Sequence, residues 1–458
     1  MAIQSLGIGS GLDVNGIVSQ LVAVERAPVQ NRLNRKEINI QADMSALGSM
    51  KNALEELEAA VGKINTASLY EGRSASVADS DWFSASASSG AALGAVEVEV
   101  ESLAQSHRLQ SAAFASADTV VGTGTLTFSL NGTSFSLDLD AENNTLEGIR
   151  DAINSADDNV GISASLITGD EGPRLVLTAD ETGADNAITV TAAGGDGGLD
   201  QLVYDPGTLT NLTQVREALD AVAYIDGVQV SSSNNVIDGA IEGVTLTLKQ
   251  AMPNETTTLT VARDAGSVTS AMSGFVKAYN TVIEVLGKVS AANPDGQSGA
   301  LVGDPLPRGI ENSLRSVVGG LIGGEIGSLA DLGFSTDVGG KLSFDTGSFN
   351  TAIQDDPDGI AAVFSGEGSL SEELETLLDG LVGVGGQIQA RTDGLNTRLE
   401  RIDDGRVRLA NRLEDIEARL LKQFSAMDAL VSQLQSTGSF LTQQLANINN
   451  ITNPSSRK

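Results

Sequence analysis

An α+β multidomain protein, helical at both chain ends and β-rich between them, is what this sequence predicts, and three observations predict it. Apolar residues recur at seven-residue spacing near both ends. They alternate with polar residues in the middle, and the charge balance changes at the same places. Residues 71–386 carry 12 basic against 45 acidic side chains, net −33, whereas residues 1–70 and 387–458 are each close to neutral. The two ends are therefore expected to form one structural body and the middle another.

The first helical face runs Val14, Ile17, Val18, Leu21, Val22, opened by Asp13 as N-cap, and Pro28 is expected to break or restart it. Leu33, Ile40, Leu47, Leu54 and Val61 then fall seven residues apart, with Met50, Leu57 and Ile64 three residues after their partners. This is a coiled-coil seam, polar at Lys36 and Asp43. The middle turns to period two. Leu126, Phe128 and Leu130 alternate, Asn131-Gly132 reverses the chain, and Phe135, Leu137 and Leu139 alternate back. Asp226-Gly227 predicts a second tight hairpin. Further strands are expected at Val96–Val100, Ile162–Ile167, Leu175–Thr178, Ile188–Thr191, Val222–Ile225, Val228–Val230, Val244–Leu248 and Thr258–Val261, with one helix, Thr145–Ile153, capped by Thr145. Helical spacing returns at Met272, Phe275, Val276, Tyr279, Val282, Ile283 and Leu286, and at Ile310, Leu314, Val317 and Leu321. The Gly-rich stretches 319–327 and 380–386 read as loops or joints.

The C-terminal seam is the longest. From Leu395 through Leu399, Ile402, Leu409, Leu413, Ile416, Leu420, Phe424, Met427, Val431, Leu434, Leu441 and Leu445 to Ile448 it steps by four and three, interrupted in polarity only at Arg406 and Gly438. Two successive steps of four meet at Leu420, a stutter that locally unwinds a supercoil. A helix carrying such a stripe needs a partner. The N-terminal seam is the first candidate, a sister chain the next.

Composition excludes most chemistry. No cysteine is present, so thiolate metal sites, disulfides and cysteine nucleophiles are ruled out. A single histidine, His107, rules out two-histidine metal sites. His107 is expected to be a surface or domain-joint residue without catalytic work. The run Gly194-Gly195-Asp196-Gly197-Gly198-Leu199-Asp200 matches a calcium β-roll repeat only once and out of register, so a flexible acidic loop is expected. Asp355-Asp356-Pro357-Asp358-Gly359 fits a helix cap with proline in the first turn. Gly7, Gly9 and Gly11 lack the lysine of a phosphate loop. No catalytic residue, cofactor or metal is assigned. The acidity argues against nucleic acid as a partner, and the absence of a long uncharged apolar run against membrane insertion. Met1–Ser10 lacks the basic and apolar regions of a secretory signal, so export by the general signal-peptide route is not expected.

The residues also carry a resemblance. Ile8-Gly9-Ser10-Gly11-Leu12-Asp13-Val14, then Ile17–Leu21 and Glu25-Arg26-Ala27-Pro28, are similar to the N-terminal signature of the flagellar filament cap family, hook-associated protein 2. Gly299–Asp304 with Arg308, Leu329–Gly333, Gly340–Asp345 and Gln423–Asp428 resemble its C-terminal region. Gly124-Thr125-Leu126, Asn131-Gly132, Thr145–Asn154 and Arg174–Thr178 resemble the insertion module of flagellin-related proteins. Residues 195–220 are unmatched.

The resemblance implies a long antiparallel helical coiled-coil leg built from both chain ends, with two inserted β-rich head domains. The expected division is 1–70 for the N-terminal leg, its first ~35 residues flexible, 71–104 plus 213–266 for one head domain and 105–212 for the inserted module. Residues 267–386 then form the mixed part of the leg domain, and 387–458 the C-terminal helix and flexible tail. It implies export through the flagellar channel and an extracellular place at the filament tip. There the protein would be a homo-oligomeric ring of roughly four to six subunits, a pentamer favoured, that guides flagellin into the filament. Flagellin, the hook–filament junction proteins and an export chaperone are the implied partners. The alternatives are an adhesin whose acidic β head binds a host glycoprotein or mucin, and, more distantly, a carboxylate-pair hydrolase.

Overall fold

The computed structural model describes residues 13–293, 296, 298–320 and 326–452. The chain divides into two compact units, one of residues 68–268 and the other of the residues before and after them. In chain order the described α-helices are α1 (Val14–Ile64), α2 (Ala67–Glu71), α3 (Leu146–Ser155), α4 (Ala265–Ser290), α5 (Pro305–Val318), α6 (Thr346–Asp355), α7 (Pro357–Phe364), α8 (Leu370–Val382) and α9 (Gln387–Thr452).

In the helical unit the Asp13 carboxylate caps α1 by accepting the Gly16 N–H at 2.8 Å. The helix then runs for 51 residues with Pro28 inside it, contrary to the expected break. An interior proline loses one backbone hydrogen bond and costs ~3 kcal/mol. Here Pro28 and Val24, whose carbonyl loses its donor, are both exposed, so that carbonyl lies on a face open to solvent. Residues on either side of Pro28 reach the same partner helix, α9. Within the N-terminal stretch expected to be flexible, residues from Val14 onward are helical, with Val14, Val18 and Val22 buried. Residues 1–12 lie outside those described.

α9 is unbroken over 66 residues, roughly 99 Å at 1.5 Å per residue. It lies antiparallel to α1: Glu25 meets Arg412, and Glu37 meets Arg406. The far half of α1, from Ala46 to Ile64, is a fully apolar seam packed on α8 and α9. The Asn65 amide donates to Glu375 of α8 at 2.9 Å. The remaining helices owe their starts to side-chain caps. Asp304 accepts from Leu306 N, Asp345 from Gly347 and Ser348 N, Asp356 from Gly359 N, and Ser369 from Glu372 N. Pro357 stands in the first turn of α7, the capping role expected of that acidic run. A small hairpin, Phe334–Thr336 with Leu342–Phe344, gathers Phe334, Phe344, Phe349 and Phe364 into one aromatic cluster. Leu321, expected to continue α5, lies outside the described residues.

The β unit holds two separate apolar cores. One lies between a five-stranded sheet (order 73–77, 257–263, 94–102, 221–225, 228–232) and a three-stranded sheet (236–241, 244–248, 83–87), with Phe83, Val98, Val100, Leu246 and Leu259 at its centre. The other involves strands 124–130, 133–139 and 189–193, strands 108–110, 162–169, 172–179 and 213–216, and α3, which Thr145 caps by accepting Gly148 N–H at 3.0 Å. Both expected hairpin turns have the left-handed pair that a two-residue type I′ turn needs: Asn131 and Gly132 at φ 49° and 74°, Asp226 and Gly227 at 47° and 79°. Strands 73–77 and 83–87 escaped the sequence reading because Arg-Ser-Ala-Ser-Val and Phe-Ser-Ala-Ser-Ala hardly alternate large and small residues.

Two local expectations are corrected here. The run 194–200 is an ordered turn, not a flexible loop. Asp196 Oδ1 accepts the N–H groups of Thr123 and Gly198, which holds its carboxyl below the usual range, and Leu199 is buried. Gly195 sits at φ +72°, and a Cβ there would come 1.7 Å from the Thr123 carbonyl oxygen. Gly195→Ala should therefore lower the stability of this core by more than the ~1–2 kcal/mol of left-handed strain alone. Urea unfolding checks this; a midpoint equal to the parent's would refute it. His107 is 2% exposed, which removes the surface half of its expected placement, surface or domain joint.

Candidate functional site

The heptad positions of α1 and α9 are the one long constellation that sequence analysis singled out, and the structure sorts them by burial. Leu47, Leu54 and Val61 are 0–1% exposed, Ile40 8% and Ile402 5%; Leu33 and Leu399 are half-buried. Further along α9, Leu413 is buried against Val14, Val18 and Val22, and Leu409, Ile416, Leu420, Leu421 and Phe424 pack around them. Beyond Phe424 the seam opens. Val431 is still half-buried, but Met427, Leu434, Leu441 and Leu445 are exposed, and Leu430 and Phe440, outside the seam positions, widen the same surface.

The physical reason is a difference in reach. Described α1 begins at Val14, opposite the Leu413–Phe424 stretch, whereas α9 continues ~28 residues and about 42 Å past Phe424. The stutter at Leu420 coincides with the end of this intrachain packing, and the helix runs through it without interruption. Leu430 was missed because it lies off the four-three series. Its spacing from Met427 and Leu434, three and four residues, was the available signal.

Halfway along the pair, Arg406 occupies a seam position and turns it polar. Its guanidinium donates to Glu37 on α1, to Asn34 Oδ1 at 3.1 Å and to Asp403 at 3.2 Å. The Arg406 hydrogen bond holds the Glu37 carboxyl below its usual range. Leu33 sits beside Gly405 in the next layer. A single polar layer in an apolar seam fixes register, because any slip strands the charge among leucines. Asp43, the second polar position of the α1 seam, is held above the ordinary carboxylate range by burial and by the charge of Asp304.

The other candidates gather no chemistry. Glu97 and Glu99 project beside Asp226 on an acidic cleft of the β unit. Each already accepts a hydrogen bond, from Thr258 Oγ1 and Asn254 N respectively, while Asp226 accepts Glu97 N–H. Among the described residues no group of three histidine, aspartate or glutamate side chains could hold a metal, and no helix is long and apolar enough to cross a membrane.

Comparison with known proteins bears on this arrangement directly. Residues 10–107 match the family model for the flagellar hook-associated protein 2 N-terminus, residues 218–436 that for its C-terminus, and residues 125–181 the flagellin hook IN motif. The chain is 32% identical over 463 residues to the A-type flagellar hook-associated protein 2 of Pseudomonas aeruginosa, covering 96% of this chain and 97% of that one. It is 32% identical over 470 residues to flagellar hook-associated protein 2 of Escherichia coli O157:H7, covering 98% and 99%. The crystal structure of the D1-D2-D3 domains of the Escherichia coli flagellar cap protein FliD is similar, with a TM-score of 0.60 and 30% identity. It covers 77% of this chain and 99% of that one. With both terminal models matched in order and full-length relatives at this identity, the chain belongs to the flagellar hook-associated protein 2 family, the flagellar filament cap proteins.

Proposed function

We propose that this protein caps the distal end of the flagellar filament as an assembly of several copies of itself, organising flagellin insertion by shape and contact and without catalysis. The observation that carries the reading is the apolar face of α9 from Met427 to Leu445, unpartnered among the described residues, in a chain of this family. An exposed stripe of this length is a docking surface rather than a solvent surface. The seam residues up to Phe424 hold the subunit's own helices together. Met427, Val431, Leu434, Leu441 and Leu445 meet neighbouring subunits or filament flagellin.

The strong negative charge of residues 71–386 opposes contact between β units of sister copies, so the apolar helices supply the attraction. The ring of roughly four to six subunits, with a pentamer favoured, the junction proteins and an export chaperone belong to the same proposal. So does the division of the β unit into a basal domain and an inserted module at 105–212. The test is genetic. A strain lacking this gene should release unpolymerised flagellin into the medium and recover filaments when the gene is restored. Normal filaments in its absence would overturn the proposal.

A further inference from the structure

The two β cores of unit 68–268 are joined where the chain enters the second core at residues 104–108 and returns at 213–220. The Gln105 and Leu219 backbones pair there, and Arg216 donates to the Ser106 carbonyl at 2.9 Å and its hydroxyl at 2.7 Å. A third segment, residues 180–187, lies on this neck. Thr182 Oγ1 donates to the Ser233 carbonyl, Gly183 N–H to the Gln105 carbonyl and Ala184 N–H to Asp220. Gly183 is at φ +108°, and a Cβ there would come 2.8 Å from Ser233, so this contact is close. Ser233 lies among the strands of the first core and residues 180–187 connect strands of the second, so the segment ties the two together.

His107 holds both ends of that segment. Its carbonyl accepts Ala179 N–H at 2.9 Å, and its ring Nδ1 accepts Ile188 N–H at 2.8 Å. The Tyr204 ring tilts against the imidazole at 5.6 Å. An Nδ1 that accepts a backbone N–H carries no proton, so the ring is the neutral Nε2–H tautomer. Protonation would turn the acceptor into a second donor facing the first, at a site 2% exposed where water cannot easily intervene.

We propose that His107 is an acid-sensitive latch: its protonation releases Ile188 and loosens the 180–187 segment, and with it the joint between the two β cores. The charge that acts on the ring is Glu217; the segments packed about it also carry Arg108, next in sequence at the start of strand 108–110, Arg216 on the returning chain, Asp205 next to Tyr204, and Asp180, Glu181, Asp185 and Asp220 on and beside the held segment. Burial lowers the His107 pKa from the ordinary 6.5, and the Glu217 charge opposes that shift without cancelling it. The unfolded chain therefore takes up the proton first on acidification. The stabilising contribution of the latch is whole above about pH 6.5 and declines as pH falls below it.

The experiment uses the full-length protein, in which His107 is the single histidine and its Cε1–H resonance is unambiguous. Between about pH 7.5 and about pH 5, amide exchange at Ile188 and residues 180–187, corrected for intrinsic rate, should accelerate at least ~10-fold. The resonance should titrate below the free imidazole range. His107→Asn places a neutral, non-titrating acceptor near the Nδ1 position and should leave that exchange independent of pH. Exchange in the parent that does not respond to acid, a midpoint at or above 6.5, or the same acceleration in His107→Asn would each overturn the proposal. Should the variant fail to fold, the parent's exchange and titration decide alone.

Discussion

Leu434→Asp combined with Leu441→Asp should abolish filament capping while leaving the thermal unfolding of the isolated protein unchanged. The two side chains are 63% and 55% exposed, so carboxylates there are solvated in the free subunit and cost little. In an assembly that buries the Met427–Leu445 face, each carboxylate must be desolvated without a partner, a cost of several kcal/mol per site. Together with the loss of two leucines, each worth ~1.5–3 kcal/mol on full burial, these two sites cancel a large share of what the stripe contributes. Ser436→Asp, exposed on the opposite side of the same turns of helix, is the control and should cap normally. Filament lengths by electron microscopy and swarming on soft agar read the outcome. Normal filaments in the double variant would show that this face stays solvent-exposed in the working cap.

Leu57→Ala should have the opposite signature, a loss of stability that precedes any effect on assembly. Leu57 is 0% exposed in the stretch of α1 that packs on α8 and α9, amid Leu54, Val61 and Ile64, which are equally buried. Truncation removes its transfer free energy and leaves a cavity that long packed helices close poorly, together ~2–5 kcal/mol. The helical unit should unfold at lower urea, while the transition of the β unit, whose two cores contain none of these residues, keeps its midpoint. Unfolding at an unchanged midpoint would mean that α1 is dispensable to the helical unit.

The opposite signatures of these variants trace to what lies across from the mutated residues, and sequence periodicity is silent on that. Leu413 and Leu434 both belong to one seam, yet one is 3% exposed and the other 63%. Hairpin turns and caps were legible because their determinants lie within four residues: Asn131-Gly132, Asp226-Gly227, Thr145 with Gly148, Asp356 with Pro357. Pro28 misled the reading because its cost is local while its compensation is not. Contacts to α9 on both sides of the proline, Val14, Val18 and Val22 before it and Leu33 beside Gly405 after it, keep the helix unbroken through it. For His107 the sequence left a surface and a domain-joint placement open, because the partners that decide between them, Ile188 and Tyr204, lie 81 and 97 positions away.

The sequence by itself therefore determined the helical ends, the β middle, the tight turns, the absence of cysteine chemistry and the family, all of which follow from local spacing, composition or short motifs. Only the tertiary structure decided which seam residues are internal and which are open, that Arg406 meets Glu37 and Asn34, and that the lone histidine is a buried acceptor. Periodicity states that a helix has an apolar face. Whether that face is covered depends on how far the facing segment of chain extends, and here described α1 starts opposite Phe424 while α9 runs on to Thr452.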